Sequence, residues 1–143
     1  MRYQYTNTRF KGYKPVINWS IPDGVKLIIT INIIVFILVE LSGYRYEIFR
    51  LCGLVPADSI KNFRFWQPIT YLFLHSGLLH IIINMIILWM FGRELEFGWG
   101  KYKFLTYYFI TGIGAAIITV IFNLSSYIPI VGASGAVYGI LMA

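Results

Sequence analysis

The sequence predicts an all-α polytopic membrane protein, a chain that crosses the lipid bilayer several times. Hydrophobic residues make up 58% of its 143 residues, and charged residues only 13%. The apolar residues lie in blocks close to the roughly 20 residues that a helix needs to cross about 30 Å of hydrocarbon. Because polar segments separate these blocks, we divide the chain into membrane spans rather than soluble domains.

Composition also argues against several classes of partner. The net charge is +6, but the basic residues are scattered between the apolar blocks and form no dense patch interleaved with aromatic residues. Cys52 is the only cysteine, so no disulfide can form within the chain, and no metal-ligand spacing accompanies it. We therefore predict no nucleic-acid partner, no metal and no cofactor, with the lipid bilayer surrounding most of the chain.

The first span is predicted at 25–43, after a basic juxtamembrane tail. Residues 1–24 are polar, basic and aromatic, and Pro15 and Pro22 interrupt any continuous helix there. Asn32 is the polar residue in the middle of the span, and we expect it to make a packing hydrogen bond rather than to take part in catalysis.

Two further spans are predicted at 68–92 and 104–122. The segment 42–64 between the first two spans mixes charges with isolated apolar residues, which is typical of a loop in the membrane interface. The charged turn "GRELEFGWGKYK" follows the second span. The third span contains "GIGAA", small residues that let helix backbones approach closely.

The fourth apolar block, at 130–143, contains about 14 residues, or roughly 21 Å of helix at 1.5 Å per residue. This is too short to cross the membrane, and a helix that ended within the hydrocarbon would leave backbone carbonyls unpaired. We therefore expect the chain to be a piece of a longer protein that stops within its fourth span.

The basic residues predict the orientation. About eight Lys and Arg lie in the tail and the charged turn, against about four in the first loop, and cytoplasmic segments carry the excess of such residues. The amino terminus is predicted to be cytoplasmic.

His75 and His80 are the only histidines, and Asn84 follows His80 by four residues. At 100° per residue, His80 and Asn84 share one helical face, whereas His75 lies about 140° away from His80. From spacing alone, interhelical hydrogen bonding is the favoured interpretation of His80 and Asn84. A functional role is the alternative, because polar groups within a span are costly.

The stretch "VGASGAVYG" contains one hydroxyl, that of Ser134. Gly132, Gly135 and Gly139 recur at i, i+3 and i+7, which predicts a bare stripe for helix packing. Ser134 lies near the start of the fourth helix, where unpaired N–H groups can stabilise an oxyanion. The stretch alone favours packing over a nucleophile. The hydrolase pattern G-x-S-x-G is excluded, because Ala136 replaces the last glycine in an apolar helix.

Four segments nevertheless occur in a specific order and spacing between 66 and 143: Trp66, "HSGLLHIIINM", "GRELEFGWGKYKF" and "GASGAVYG". Together they resemble the rhomboid family of intramembrane serine proteases. The resemblance implies a rhomboid-like helical bundle, truncated here within its fourth transmembrane helix.

The same resemblance implies roles for individual residues. Ser134 matches the nucleophile, and His80 and Asn84 match the side chains that form the oxyanion hole with the Ser134 backbone N–H. Tyr138 matches the aromatic residue on which the family's catalytic histidine rests. His75 looks structural.

Five further residues are expected to be supporting or to depart from the family. Gly132 and Gly135 flank the serine and keep a packing role. Glu96 and Gly100 resemble structural residues of the turn after the second span. Gln67 stands where the family usually has Arg, which puts the family's contacts in the first loop in doubt.

The family's general base is a histidine on a sixth span, so no residue of this sequence takes that role. The resemblance implies a parent protein that is an intramembrane serine endopeptidase of transmembrane-helix substrates, with this piece alone inactive. The alternative is a catalytically inactive rhomboid-like protein that binds client membrane helices. A bacterial inner membrane is the family-level expectation for its location.

Overall fold

The computed structural model describes residues 20–143, and the predicted tail therefore lies almost wholly outside the described residues. The described chain is helical, with one isolated antiparallel bridge between Leu54 and Ile130. The helices are α1 (Asp23–Ser42), α2 (Arg45–Cys52), α3 (Pro56–Lys61), α4 (Gln67–Thr70), α5 (Leu78–Trp99), α6 (Lys101–Phe122) and α7 (Ser134–Leu141).

Three helices of the described part are long and apolar enough to cross a membrane: α1, α5 and α6. Their apolar side chains face outward along much of each helix, as expected where the solvent is hydrocarbon. This confirms the predicted fold class, an all-α polytopic membrane protein. The first and third helices lie close to the predicted spans 25–43 and 104–122.

The second long helix is shifted relative to the predicted span 68–92. The short helix α4 and a 3₁₀ turn, Tyr71–Phe73, come first, and the chain is then extended at Leu74 before α5 begins. At its other end α5 continues through the predicted charged turn, because "RELE" consists of strong helix formers. The reversal comes at Gly100, whose φ of 83° favours glycine.

Glu96 joins the end of α5 to the start of α1. Its buried carboxylate accepts hydrogen bonds from the backbone N–H groups of Gly24 at 2.8 Å and Val25 at 2.7 Å. The first N–H groups of a helix have no intrahelical partner, and a negative charge is favourable there. The contact therefore places the start of α1 and the end of α5 at the same end of the bundle.

Helix α7 is shorter than the predicted block 130–143 and packs closely on α6. A Cβ added to Gly135 would lie 2.7 Å from the Cβ of Ala115, and one added to Gly139 would lie 2.5 Å from the Cβ of Thr111. Such contacts are shorter than van der Waals separation, so only glycine permits this approach. Gly135 and Gly139 thus pack against α6 as small residues of a helix interface do.

Gln67 stands at the position where the resemblance implies Arg. Its side chain makes hydrogen bonds to several residues of the first loop. Its fully buried side-chain oxygen accepts hydrogen bonds from Val55 N at 3.0 Å and Ser59 Oγ at 2.8 Å. Its Nε2 donates to the carbonyls of Arg50 at 3.2 Å and Leu51 at 3.3 Å. An amide has both donors and acceptors, so glutamine itself bridges the loop at this position.

Candidate active site

Ser134 is the first residue of α7, and backbone hydrogen bonds anchor the segment that leads to it. Ile130 N donates to Leu54 O at 2.8 Å, and Leu54 N donates to Ile130 O at 2.9 Å. Gly132 N donates to Tyr71 O at 3.0 Å. The first loop and the segment before α5 therefore set the position of the serine.

Tyr71 is a supporting residue that no sequence motif indicates. Its side chain is buried, its hydroxyl donates to Gly112 O at 2.7 Å, and its carbonyl accepts the bond from Gly132. It thereby ties the serine segment to α6. An aromatic residue in an apolar run carries no sequence signal for this role, since its partners lie more than 40 residues away.

Gly132 has a different role from the predicted packing stripe, because it precedes α7 and is not part of the helix. Its φ of 128° lies in the region that favours glycine. A Cβ at this position would lie 2.7 Å from His80 Cε1, 2.8 Å from His80 Nε2 and 3.7 Å from Ser134 Oγ. Gly132 thus makes room for the imidazole, and His80 Nε2 and the hydroxyl of Ser134 both lie near this position.

A cavity of about 220 Å³ lies between α5 and α7 at this point. It brings together four of the predicted site residues, while its other walls are apolar. The lining residues are His80, Asn84, Ser134, Tyr138, Ile83, Ile87, Val137 and Leu141.

His80 and Asn84 lie on one face of α5, as their spacing predicts. Asn84 is 4% exposed, and its Nδ2 donates to the His80 carbonyl at 2.9 Å. An amide NH₂ carries two N–H groups, so the second can donate into the cavity. The bond to His80 O lies within α5, whereas spacing alone favoured a hydrogen bond between helices.

His75 lies outside α5, so the predicted separation of 140° around a helix is wrong. It precedes the first turn of α5, and its ring meets the His80 ring edge-on, with 5.1 Å between centroids. The side chain is 1% exposed. Burial, together with the neighbouring His80, lowers the pKa of His75 to about 4, so a neutral imidazole packs against His80 at pH 7.

Tyr138 lies one helical turn after Ser134 on the same cavity and is 67% exposed. Its ring therefore borders the opening of the cavity. Within residues 20–143, no group of three or more His, Cys, Asp or Glu side chains is placed to hold a metal ion.

A sequence model of the Rhomboid domain matches residues 62–143, which include every residue of the cavity. The chain belongs to the rhomboid family. It is 33% identical to Rhomboid protease GluP of Bacillus subtilis (strain 168) over 124 residues, which cover 85% of this chain and 24% of that protein.

Two relatives from other organisms show a similar degree of identity. Rhomboid-like protease 3 of Toxoplasma gondii is 30% identical over 131 residues, 89% of this chain and 48% of that protein. RHOMBOID-like protein 5 of Arabidopsis thaliana is 31% identical over 103 residues, 72% of this chain and 33% of that protein. The chain thus spans between about a quarter and a half of the length of these three relatives.

Proposed function

We propose that the protein to which this chain belongs is an intramembrane serine endopeptidase that cleaves transmembrane protein substrates. The observation that carries the proposal is the shared cavity of Ser134, His80 and Asn84 at the first turn of a helix. Two similar proteins, from Bacillus subtilis and Toxoplasma gondii, are named as proteases, which supports the same conclusion.

Ser134 is the proposed nucleophile. Its Oγ attacks the carbonyl carbon of a substrate peptide bond and forms a tetrahedral intermediate whose oxygen carries the negative charge. Collapse of this intermediate breaks the C–N bond, the amine leaves with the proton that a general base took from the Ser134 hydroxyl, and an acyl-enzyme remains on Ser134. Water then hydrolyses the ester and restores the hydroxyl.

His80, Asn84 and the backbone N–H of Ser134 are the proposed oxyanion hole. Ser134 begins α7, so its N–H has no partner within the helix, and the helix dipole favours negative charge at that end. His80 Nε2 and Ser134 Oγ lie 2.8 Å and 3.7 Å from the position that a Cβ of Gly132 would take. Apolar walls make such donors more effective, because charge interactions strengthen where water is excluded.

The general base comes from a part of the protein beyond the cavity described here. The family resemblance assigns this role to a histidine on a sixth span, and Tyr138 borders the cavity where such an imidazole could rest. Base assistance contributes about 10²- to 10⁴-fold to such reactions. We accordingly propose that this 143-residue piece alone does not hydrolyse peptides.

The proposed setting is a bacterial inner membrane with a cytoplasmic amino terminus. The contact of Glu96 with the start of α1 marks one end of the bundle. The cations near that end are Lys26, Arg93, Lys101 and Lys103, and the sequence before α1 adds Arg2, Arg9, Lys11 and Lys14. An excess of cations favours the cytoplasmic side, so the Ser134 end of the bundle faces the opposite side.

A fluorophosphonate probe and cleavage of a transmembrane substrate test the proposal on the full-length protein. We expect the probe to label the wild type and to fail on Ser134→Ala, with kcat lower by about 10⁴ or more. The matched control is Ser125→Ala, since Ser125 is an exposed serine in the turn after α6. It should label and cleave normally.

Two results would contradict the proposal in different ways. Labelling that survives Ser134→Ala would identify another nucleophile. A wild-type protein that folds and binds substrate helices but neither reacts with the probe nor cleaves them would instead be the inactive, client-binding relative.

A further inference from the structure

Ser76 makes two contacts with one nitrogen of the His80 imidazole. Ser76 precedes α5, and both its backbone N and its hydroxyl approach His80 Nδ1, at 3.4 Å and 2.9 Å. We propose that Ser76 is a positioning residue that fixes the tautomer of His80, with the proton on Nε2 and the lone pair on Nδ1. Its catalytic consequence rests on the proposed function, whereas the tautomer itself does not.

The argument depends on what each group can do. A backbone N–H only donates, so Nδ1 must accept, and a neutral imidazole that accepts at one nitrogen carries its proton on the other. The Ser76 hydroxyl can rotate to donate to the same lone pair. Two donors from one residue therefore favour the same tautomer.

Ser76 is itself held in place from the first loop. The Arg45 guanidinium donates to the Ser76 carbonyl, and Arg45 also forms an ion pair with Glu40 at 3.1 Å. Glu40 lies near the end of α1. Ser76 is thus tied to a neighbouring element rather than only to the helix it precedes.

The proton on Nε2 would lie on the edge of the ring nearest to Gly132 and Ser134. A Cβ of Gly132 would stand 2.8 Å from Nε2, 2.7 Å from the adjacent Cε1 and 3.7 Å from Ser134 Oγ, so the Nε2–Cε1 edge of the ring lies near the serine. In this tautomer Nε2–H donates to an oxyanion and cannot take a proton from Ser134. Ser76 therefore commits His80 to stabilising charge and excludes it as the base.

Nitrogen NMR of the imidazole tests the tautomer directly. The full-length protein would be labelled with ¹⁵N-histidine and placed in lipid nanodiscs, with the His80 signals assigned from their loss in His80→Gln. We expect wild-type His80 to show a protonated Nε2 and an unprotonated Nδ1. Ser76→Ala removes one of the two donors, so the tautomer ratio should shift by about fivefold toward Nδ1–H. Ser76→Thr should keep the wild-type ratio.

Cleavage kinetics provide the second measurement. Ser76→Ala should lower kcat by about fivefold at unchanged KM, because only the transition state uses the Nε2 donor, and Ser76→Thr should restore it. A wild-type His80 protonated on Nδ1, or a Ser76→Ala spectrum identical to wild type, would overturn the role of Ser76. Absence of cleavage with the expected spectra would refute the proposed peptidase function and leave the tautomer assignment standing.

Discussion

Helix α7 has two faces that are filled in opposite ways. The face toward α6 has no spare room, since Gly135 and Gly139 lie against Ala115 and Thr111. The face toward α5 borders a cavity of about 220 Å³, and Ser134 lies on this face in the first turn of α7. The same eight residues thus combine a rigid contact with an open, partly polar space.

One face of this short helix therefore serves packing, and the other carries the residues proposed for catalysis. Glycines on the α6 side let the backbones touch, and dispersion contacts there hold the helix where no hydrophobic force acts between helices in lipid. Polar side chains occur on the α5 side, where a substrate could meet them. The packed face therefore positions the serine, and the open face leaves it accessible.

After Ser134 itself, the largest effect on the open face is expected from Asn84→Ala. Removing one oxyanion donor should lower the cleavage rate by around 10² with folding retained, since the side chain bonds only within its own helix on the described contacts. Single-turnover cleavage kinetics, with thermal unfolding in detergent as the control, measure both quantities. Unchanged kinetics would assign Asn84 to packing and remove the main chemical difference between the two faces.

On the packed face, Gly139→Ala should destabilise the protein by about 1–3 kcal/mol. The new Cβ would meet the Cβ of Thr111 at 2.5 Å, and neither atom can rotate away, so the two helices must separate. The midpoint of unfolding in a denaturing detergent reports the change.

Gly114→Ala on α6 is the matched control, because nothing lies within 4 Å of a Cβ at Gly114. The same substitution in open space should be neutral or stabilising, by up to about 1 kcal/mol from helix propensity. Equal destabilisation by the two variants would mean that close packing of α7 is not what Gly139 provides.

A smaller effect is expected from Tyr138→Ala, a change at the opening of the cavity on the α5 side of α7. The side chain is 67% exposed, so folding should change little, whereas loss of the support proposed for the catalytic histidine should lower kcat by about tenfold. Tyr138→Phe keeps the ring and should behave as wild type in the same assay. If Phe reduces kcat as strongly as Ala does, the hydroxyl and not the ring is responsible.

Much of the fold follows from local sequence patterns. The long apolar blocks predict α1 and α6 to within a few residues, and the spacing of His80 and Asn84 predicts their common face. The start of α5 is different, because the apolar run before it contains a short helix and a 3₁₀ turn that hydropathy does not distinguish from one span. That error also misplaced His75 relative to His80.

The residues of the candidate site also divide into those that local sequence patterns predict and those that they do not. Ser134, His80, Asn84 and Tyr138 could be named from motifs, but Tyr71 and Ser76 could not. Both act in part through a backbone group, the carbonyl of Tyr71 and the N–H of Ser76, and every residue except proline has the same two groups. Only the path of the chain shows which of them are used.

The sequence by itself determined that this chain forms membrane-spanning helices, which residues are small enough for close packing, and which polar side chains share one turn of helix. Those properties depend on neighbours within a few residues. The tertiary structure decided that Ser134 faces His80 across a cavity, that Gly132 clears space for the imidazole, and that Ser76 meets Nδ1. The contacts of Ser134 and Gly132 with His80 depend on how distant segments close on one another, through the Leu54–Ile130 bridge and the bond from Gly132 to Tyr71. The contact of Ser76 with Nδ1 depends on the conformation of the chain just before α5, which hydropathy does not indicate.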